Sequence, residues 1–241
     1  MNLTIVIPAR NEQDNIPTTL SSIESRVKTP HFVIVVNDHS TDKTGDFVRE
    51  FSKTHPNVRL FDNPGTGGFA HAVKAGFKQA SPGAVVTVMA DNCDQPETID
   101  AMFAKILEGY DVVCGSRYMP GGKKLGGRFL QTFFSRFVGK SLRIISSLPT
   151  HDISNAFKMY RKEVVDSIEI EETGFAMSME LAVKARFRGF KVTEVPTIWK
   201  DRTAGSSHFR IFKVAYSYIR WYLRALRLSL KSRFMRILKK K

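Results

Sequence analysis

The sequence predicts an α/β protein with a mostly parallel sheet flanked by helices, followed by a basic amphipathic helix at the C-terminal end. Three observations predict this class: short β-branched runs, helical segments that alternate with them, and polar turns directly after the runs. The chain has 241 residues, enough for one such domain, and its hydrophobic fraction of 42% argues against a disordered chain.

The predicted elements follow one another in a regular order. Leu3–Ile7 is a continuous apolar run that ends at Pro8, as in a buried parallel strand. Asn15 is a plausible N-cap of the first helix, with Pro17 in its first turn. Gly115–Arg128 contains five glycines and is predicted to be a loop beside the site. Further strands are predicted at Phe32–Val36, Val58–Phe61, Ala84–Met89, Val112–Cys114 and Lys191–Pro196, and helices at Asn15–Ser25, Gly45–Lys53, Phe69–Gln79, Pro96–Glu108, Phe129–Ser147 and Ser178–Arg188.

The positive charge is concentrated at the C-terminal end. Residues 207–241 contain 11 of the 37 Lys and Arg residues and none of the 23 Asp and Glu residues, so the formal net charge of +14 falls to +3 without them. We therefore divide the chain into a globular domain, residues 1–208, and a basic tail, residues 209–241. The tail has two stripes at helical spacing, which indicate either a helix in the interface of an anionic membrane or a helix packed on the domain. We expect the part from Phe209 to about Tyr222 to pack on the domain. The basic stripe is Lys213, Arg220, Arg224, Arg227 and Lys231, and the apolar stripe is Ile211, Val214, Tyr218, Tyr222, Leu226 and Leu230.

Cysteine content and hydropathy bear on the compartment. The two cysteines, Cys93 and Cys114, are too few for a disulfide framework, which favours a reducing compartment. We find no basic leader at Met1–Pro8 and no apolar run of about 18 residues. We expect a cytoplasmic protein, peripheral at the cytoplasmic face of a membrane. No nucleic-acid partner is expected, because the aromatic residues of the tail belong to an apolar helical face.

Acidic side chains follow two of the predicted strands. Asp91 and Asp94 come directly after Ala84–Met89, and carboxylate oxygens beside phosphates suit Mg²⁺ or Mn²⁺. Asp94 also precedes a helix and is a candidate N-cap. Asp38 follows the second strand, where it can bind a nucleotide base or ribose or simply form a turn.

Positive groups and a glycine loop complete the pattern. Arg117 and Arg202 each follow a strand, and a guanidinium binds phosphate in bidentate fashion, although for either residue taken singly a surface arginine is the better interpretation. The glycine loop, residues 63–68, precedes a helix and resembles an anion cradle, but it lacks the P-loop Lys and the dinucleotide spacing. Taken together, these residues predict a nucleotide-diphosphate site with a divalent metal.

An ordered set of motifs resembles glycosyltransferase family 2, and within it the dolichyl- and polyprenyl-phosphate sugar transferases. The resemblance covers residues 3 to 212 and implies a GT-A (Rossmann-like) fold and inversion at the anomeric carbon. It implies an enzyme that moves a sugar from a GDP- or UDP-linked donor to a lipid phosphate. The motifs are PARNEQDNI, VVNDHSTDKT, NPGTGGFAHAVKAGF, ADNCDQPE, GSRYMPGG, HDISNAFKMYRKEV, FAMSMELAVKARFRGFKVTEVP and KDRTAGSSHFR.

The resemblance also implies roles for single residues. Asp91 would hold the metal, assisted by Asp94, and Arg202 would neutralise the leaving diphosphate. Arg117 would face the acceptor phosphate, with Arg128 and Ser135 beside it. The expected nucleotide-binding residues are Pro8, Ala9, Asn11, Glu12, Asp38, Gly67 and Asp91, and the sugar and acceptor end of the cleft would be lined by Asp152 and Glu180.

Two departures from the family pattern concern the metal and the acceptor. The usual Asp-Ala-Asp is Met89-Ala90-Asp91 here, and Ser-Asn-Ala-Phe, residues 154–157, stands where Ser-Gly-Phe is usual. An acceptor phosphate is already anionic and needs no strong base. If the acceptor is instead a sugar hydroxyl, as in polysaccharide or glycolipid synthesis, a carboxylate base is needed, and Asp152 or Glu180 is the candidate.

Overall fold

A computed structural model describes residues 1–201 and 211–238 of the chain. The order of strands and helices confirms the predicted α/β class. The strands are β1 (Asn2–Ala9), β2 (Phe32–Asn37), β3 (Val58–Asp62), β4 (Gly83–Thr87), β5 (Val112–Ser116), β6 (Lys123–Leu125), β7 (Lys158–Arg161), β8 (Val192–Pro196) and β9 (Ile198–Lys200). The helices are α1 (Ile16–Arg26), α2 (Thr44–Ser52), α3 (Phe69–Gln79), α4 (Thr98–Leu107), α5 (Phe129–Ser146), α6 (Lys162–Ser167), α7 (Met177–Phe187) and α8 (Ile211–Leu238).

Seven strands form the main sheet in the order β3-β2-β1-β4-β7-β5-β8. β1 pairs in parallel with β2 on one side and with β4 on the other, so the strand order reverses between β1 and β4. Open α/β sheets bind ligands in the crevice outside the carboxyl ends of strands at such a switch point. The turns after β1 and β4 are therefore where a ligand is expected.

Two parts of the fold were not predicted from the sequence. β7 lies antiparallel between β4 and β5, and α6 follows it directly. β6 and β9 form a separate two-stranded parallel sheet, so the glycine-rich segment 115–128 contains a strand. Both strands of the small sheet have only three residues, too few for a recognisable hydrophobic alternation.

Apolar side chains bury both faces of the main sheet. Alternating residues of β1 point to opposite sides: Ile5 and Ile7 pack with α1 and α4, whereas Val6 packs with α3 and α7. A third cluster joins α5, α7 and α8 through residues such as Leu142 and Trp221. This helical layer holds the segments that follow β5 and β7 against the sheet.

The C-terminal helix packs on the domain over a longer stretch than predicted. We expected packing to end near Tyr222, but Ala225 is fully buried and the Ser229 hydroxyl donates to the Ile145 carbonyl oxygen (3.1 Å). Tyr218, Tyr222 and Leu226 of the predicted apolar stripe pack in the same cluster, whereas Leu230 is exposed. Of the helices in the described part of the chain, none combines the length and apolar character needed to cross a bilayer.

Candidate active site

Three turns at the switch-point edge contain non-glycine residues in the left-handed conformation. Asn11 follows β1 with φ of 54°, His39 follows β2 with φ of 59°, and Asn92 follows β4 with φ of 54°. Each such residue costs about 1–2 kcal/mol relative to right-handed backbone, although Asn tolerates it best. Backbone strain that clusters in this way is typical of functional sites.

The predicted nucleotide-binding residues after β1 are held by the turn after β2. Pro8 and Ala9 are the last residues of β1 and pair with Val36 and Asn37. The Thr41 amide donates to Asn11 Oδ1 (2.8 Å), and the Glu12 amide donates to Thr44 Oγ1 (2.9 Å). These bonds fix the two turns side by side as one rigid edge.

Asp38 binds the glycine loop. Its carboxylate accepts hydrogen bonds from the Asn63 side-chain amide (2.8 Å) and from the Gly68 backbone amide (2.7 Å). Gly67 lies against the same carboxylate, since a Cβ there would be 3.6 Å from Asp38 Oδ1. Asp38 is buried, so it orders the loop at the N-terminus of α3. A nucleotide contact by Asp38 remains a prediction.

The two candidate metal ligands lie together after β4. Asp94 is buried, and its Oδ1 is without a hydrogen-bond partner in the described part of the chain. Burial raises the pKa of Asp94 to about 7, with a further contribution from the nearby Asp91 carboxylate. The alternative role of Asp94 as a helix cap is wrong, because the N-cap of α4 is Glu97.

This pair of carboxylates fits a divalent cation that also binds phosphate. A bound cation stabilises a buried carboxylate most strongly when the carboxylate oxygen has no hydrogen-bond donor and a second carboxylate lies beside it. Within residues 1–201 and 211–238 no third acidic, His or Cys ligand completes a cluster. Mg²⁺ characteristically takes one or two carboxylates and completes its shell with water and substrate phosphates. Asp91 and Asp94 therefore suit a metal that is bound jointly with a diphosphate.

Arg117 and Asp152 form a buried bidentate ion pair. Arg117 Nε and Nη2 donate to the two carboxylate oxygens of Asp152 (2.6 and 2.9 Å), and the Arg117 amide donates to Oδ2 (3.1 Å). Burial alone would lower the pKa of Arg117, but the adjacent carboxylate more than offsets this and raises it. Burial alone would raise the pKa of Asp152, whereas Arg117 holds it below its ordinary value. Asp152 is thus an anchor for Arg117 and a weak base.

The segment after β5 adds polar groups around Arg117. Tyr118 and Ser135 share a hydrogen bond between their hydroxyl groups (2.5 Å), which links the segment after β5 to α5. The Arg136 guanidinium lies 5.4 Å from the centre of the Tyr118 ring. Arg128 is exposed at the N-cap of α5. The structure therefore brings Arg117 and Ser135 close together through Tyr118, which the sequence did not single out.

Two other predicted site residues have different outcomes. Glu180 is fully buried, and its carboxylate accepts from the amides of Glu171 and Glu172 (2.8 Å each) and from Lys184 Nζ (2.6 Å). These contacts hold the segment before α7 in place. Arg202 lies outside the described residues.

Sequence reasoning missed a buried lysine that supports the site. Lys158 has no exposed surface, and its ammonium donates to the carbonyl oxygens of Ile153 (3.0 Å) and Asn155. It thereby fixes the loop that carries Asp152. The sequence holds no clear signal for it, because the four residues of β7 have a charge at each end and do not resemble a strand.

A mostly parallel sheet with carboxylates and a fixed arginine at its carboxyl edge defines the class of α/β proteins that bind ligands at a switch point. The chain belongs to glycosyl transferase family 2, whose family model matches residues 4–169. It is 31% identical over 231 residues to the dolichol-phosphate mannosyltransferase of Pyrococcus furiosus, a match that spans 94% of this chain and 64% of that protein. It is 28% identical over 210 residues to the polyprenol monophosphomannose synthase of Mycolicibacterium smegmatis, spanning 84% of this chain and 79% of that protein. The chain thus covers somewhat less than two thirds of the Pyrococcus protein.

Solved structures with the same architecture confirm the predicted GT-A (Rossmann-like) fold. S. aureus TarS in complex with UDP-GlcNAc superposes with a TM-score of 0.66 at 20% identity, covering 93% of this chain and 66% of that one. Glucosyl-3-phosphoglycerate synthase from Mycobacterium tuberculosis in complex with UDP superposes with a TM-score of 0.68 at 19% identity, covering 93% of this chain and 80% of that one.

Proposed function

We propose that this chain is an inverting glycosyltransferase that moves a sugar from a nucleotide-diphosphate sugar to a polyprenyl phosphate at a membrane surface. The observation that carries the proposal is the largely buried Arg117, which is fixed by Asp152 and lies near the carboxylate of Asp94. Relatives named as dolichol-phosphate and undecaprenyl-phosphate mannosyltransferases, at 31% and 28% identity, support a lipid-phosphate acceptor.

In the proposed reaction an acceptor phosphate oxygen attacks the anomeric carbon in line. The new carbon–oxygen bond forms as the bond to the nucleoside diphosphate breaks, and the diphosphate leaves with the electron pair. Arg117 would orient the attacking phosphate, because Asp152 fixes its guanidinium before substrate binds. Arg202 is proposed to neutralise the leaving diphosphate.

Asp91 and Asp94 would hold the divalent ion. When bound, Mn²⁺ or Mg²⁺ would supply neutralising charge to the diphosphate. A structure of the M. tuberculosis glucosyl-3-phosphoglycerate synthase that contains Mn²⁺ together with UDP supports a divalent metal in this fold. The nucleotide would lie along the edge formed by Pro8, Asn11 and Asp38.

The exposed face of α5 supports a membrane surface as partner. Phe129 is 80% exposed, and five further large apolar residues of this helix are more than half exposed. The same helix contains four basic residues, counting its N-cap, and no acidic one. Apolar and basic side chains on one helix suit an interface with anionic lipid. The five residues are Leu130, Phe133, Phe134, Phe137 and Ile144.

The C-terminal helix extends this surface. Tyr216, Ile219 and Leu223 are 73%, 58% and 59% exposed, and α8 packs directly on α5 in the third core cluster. A membrane protein could cover the same face, and a lipid-only binding assay separates the two partners. Both cysteines are buried and free, which fits action at the cytoplasmic face.

The test is transfer from a panel of nucleotide sugars, GDP-mannose first, to a short-chain polyprenyl phosphate in the presence of Mn²⁺ or Mg²⁺. We expect a polyprenyl-phosphate sugar with inverted anomeric configuration. Transfer to a glycan hydroxyl, with none to the lipid phosphate, would instead establish the alternative acceptor. Flotation with anionic and neutral liposomes, using purified protein alone, tests the membrane surface, and equal recovery without lipid would reject it.

A further inference from the structure

Lys124 is a half-buried cation close to Arg117. It lies in β6 and pairs with Trp199 of β9. Successive residues of a strand point to opposite faces, so the side chain of Lys123 is exposed whereas that of Lys124 turns inward. The small sheet thus places Lys124, and not the adjacent Lys123, beside the site.

Three neighbours hold the Lys124 ammonium in place. It donates to Thr132 Oγ1 of α5 (2.8 Å) and lies 5.1 Å from the centre of the Trp199 ring. Gly127 leaves room for it, because a Cβ at that position would lie 3.1 Å from Lys124 Nζ. An ammonium has three donors, and in the described part of the chain only the bond to Thr132 uses one.

The local charge around Lys124 is positive. Burial and the nearby Arg117 charge lower the pKa of Lys124, and Asp152 and Asp201 oppose this more weakly. Asp152 is already paired with Arg117, and among the described residues no carboxylate forms an ion pair with Lys124. Two neighbouring cations that share one paired carboxylate are destabilised until an anion binds.

We propose that Lys124 is a further contact for the phosphate of the lipid acceptor, acting together with Arg117. This inference rests on the proposed function and adds a residue to its acceptor site. The donor diphosphate is the other source of phosphate oxygens. The acceptor is favoured because Lys124 is bonded to α5, the helix with the exposed apolar face, whereas the diphosphate is expected at Asp91.

The experiment compares Lys124→Met with Lys123→Met, which removes the same charge from the exposed neighbour. Steady-state transfer gives KM for the polyprenyl phosphate and for the nucleotide sugar, and isothermal titration gives the affinity for geranyl phosphate without turnover. We expect Lys124→Met to raise the acceptor KM and the geranyl phosphate Kd about tenfold or more, as for the loss of one charge-assisted hydrogen bond. The donor KM should change less than about twofold, and Lys124→Arg should restore most of the acceptor affinity.

The outcomes separate this inference from the proposed function. Equal acceptor KM and Kd for the two Met variants would overturn the role of Lys124, as would a rise in donor KM instead. A wild-type protein that binds geranyl phosphate but transfers no sugar would overturn the proposed reaction, while the binding comparison would still decide on Lys124. Thermal melting of each variant identifies a loss of folding. If Lys124→Met does not fold, Lys124→Gln, which also removes the charge, replaces it in the same comparison with Lys123→Gln.

Discussion

The ion pair between Arg117 and Asp152 gives a sharp prediction for Asp152→Asn. The Asp152 side chain has no exposed surface and that of Arg117 is 11% exposed, so the substitution leaves a buried guanidinium without its carboxylate. Breaking a buried pair from one side costs about 3–5 kcal/mol, because the remaining charge is not solvated. We expect the free energy of unfolding to fall by that amount, and the acceptor KM to rise because Arg117 loses its fixed orientation.

Urea unfolding followed by tryptophan fluorescence measures this free energy. The matched control is Asp46→Asn, which breaks an exposed pair with Arg49 whose side chains are 75% and 57% exposed. That change should cost less than about 1 kcal/mol. The double variant Arg117→Met/Asp152→Asn should lose clearly less than the sum of its two single changes.

A loss below about 1 kcal/mol for Asp152→Asn, or strict additivity in the double variant, would refute this reasoning.

The dependence of stability on pH has a definite sign. The pKa of Asp152 is lowered by folding, so its stabilising contribution is present above the unfolded-state pKa of about 4 and is lost as the pH falls through the folded-state pKa. A general base at Asp152 would instead move the pH profile of kcat near neutrality.

Three further predictions concern the metal ligands and the packing of α5. Asp91→Ala should abolish transfer while leaving the melting temperature within a few degrees, and full activity of this variant in EDTA would reject the metal role. Folding raises the pKa of Asp94 to about 7, so between about pH 4 and pH 7 the folded state keeps a proton that the unfolded state loses. The contribution of Asp94 to the free energy of unfolding is therefore complete below about pH 4 and disappears as the pH rises to about 7. Asp94→Asn should remove that decline, on the order of 4 kcal/mol in EDTA, and parallel stability curves for the variant and wild type would contradict it. Gly139→Ala places a Cβ 2.0 Å from the His151 carbonyl oxygen, next to Asp152, and should lower the free energy of unfolding in urea by about 1–3 kcal/mol. The control Gly174→Ala, whose Cβ meets nothing within 4 Å, should lower it little. Equal losses in the two variants would argue against close packing at Gly139.

Much of the sheet could be predicted because buried parallel strands are locally encoded. Runs such as Leu3–Ile7 and Phe32–Val36 are apolar and β-branched, and each is followed by polar turn residues. The parallel arrangement then brings those turns to one edge, so Asp38 and Asp91 could be assigned to the site before its geometry was known. Lys158–Arg161 was missed because its four residues, with a charge at each end, do not resemble a strand.

By itself the sequence determined the fold class, the family resemblance and the residue types at the carboxyl edge, since these depend on local periodicity and ordered motifs. Only the tertiary structure decided that Arg117 pairs with Asp152, 35 residues away, because that contact depends on β7 lying antiparallel beside β5. The exposure of the α5 phenylalanines was also decided only by the tertiary structure. An amphipathic helix has the same periodicity whether its apolar face meets a core or a membrane, so only the packing against α8 shows which residues remain exposed.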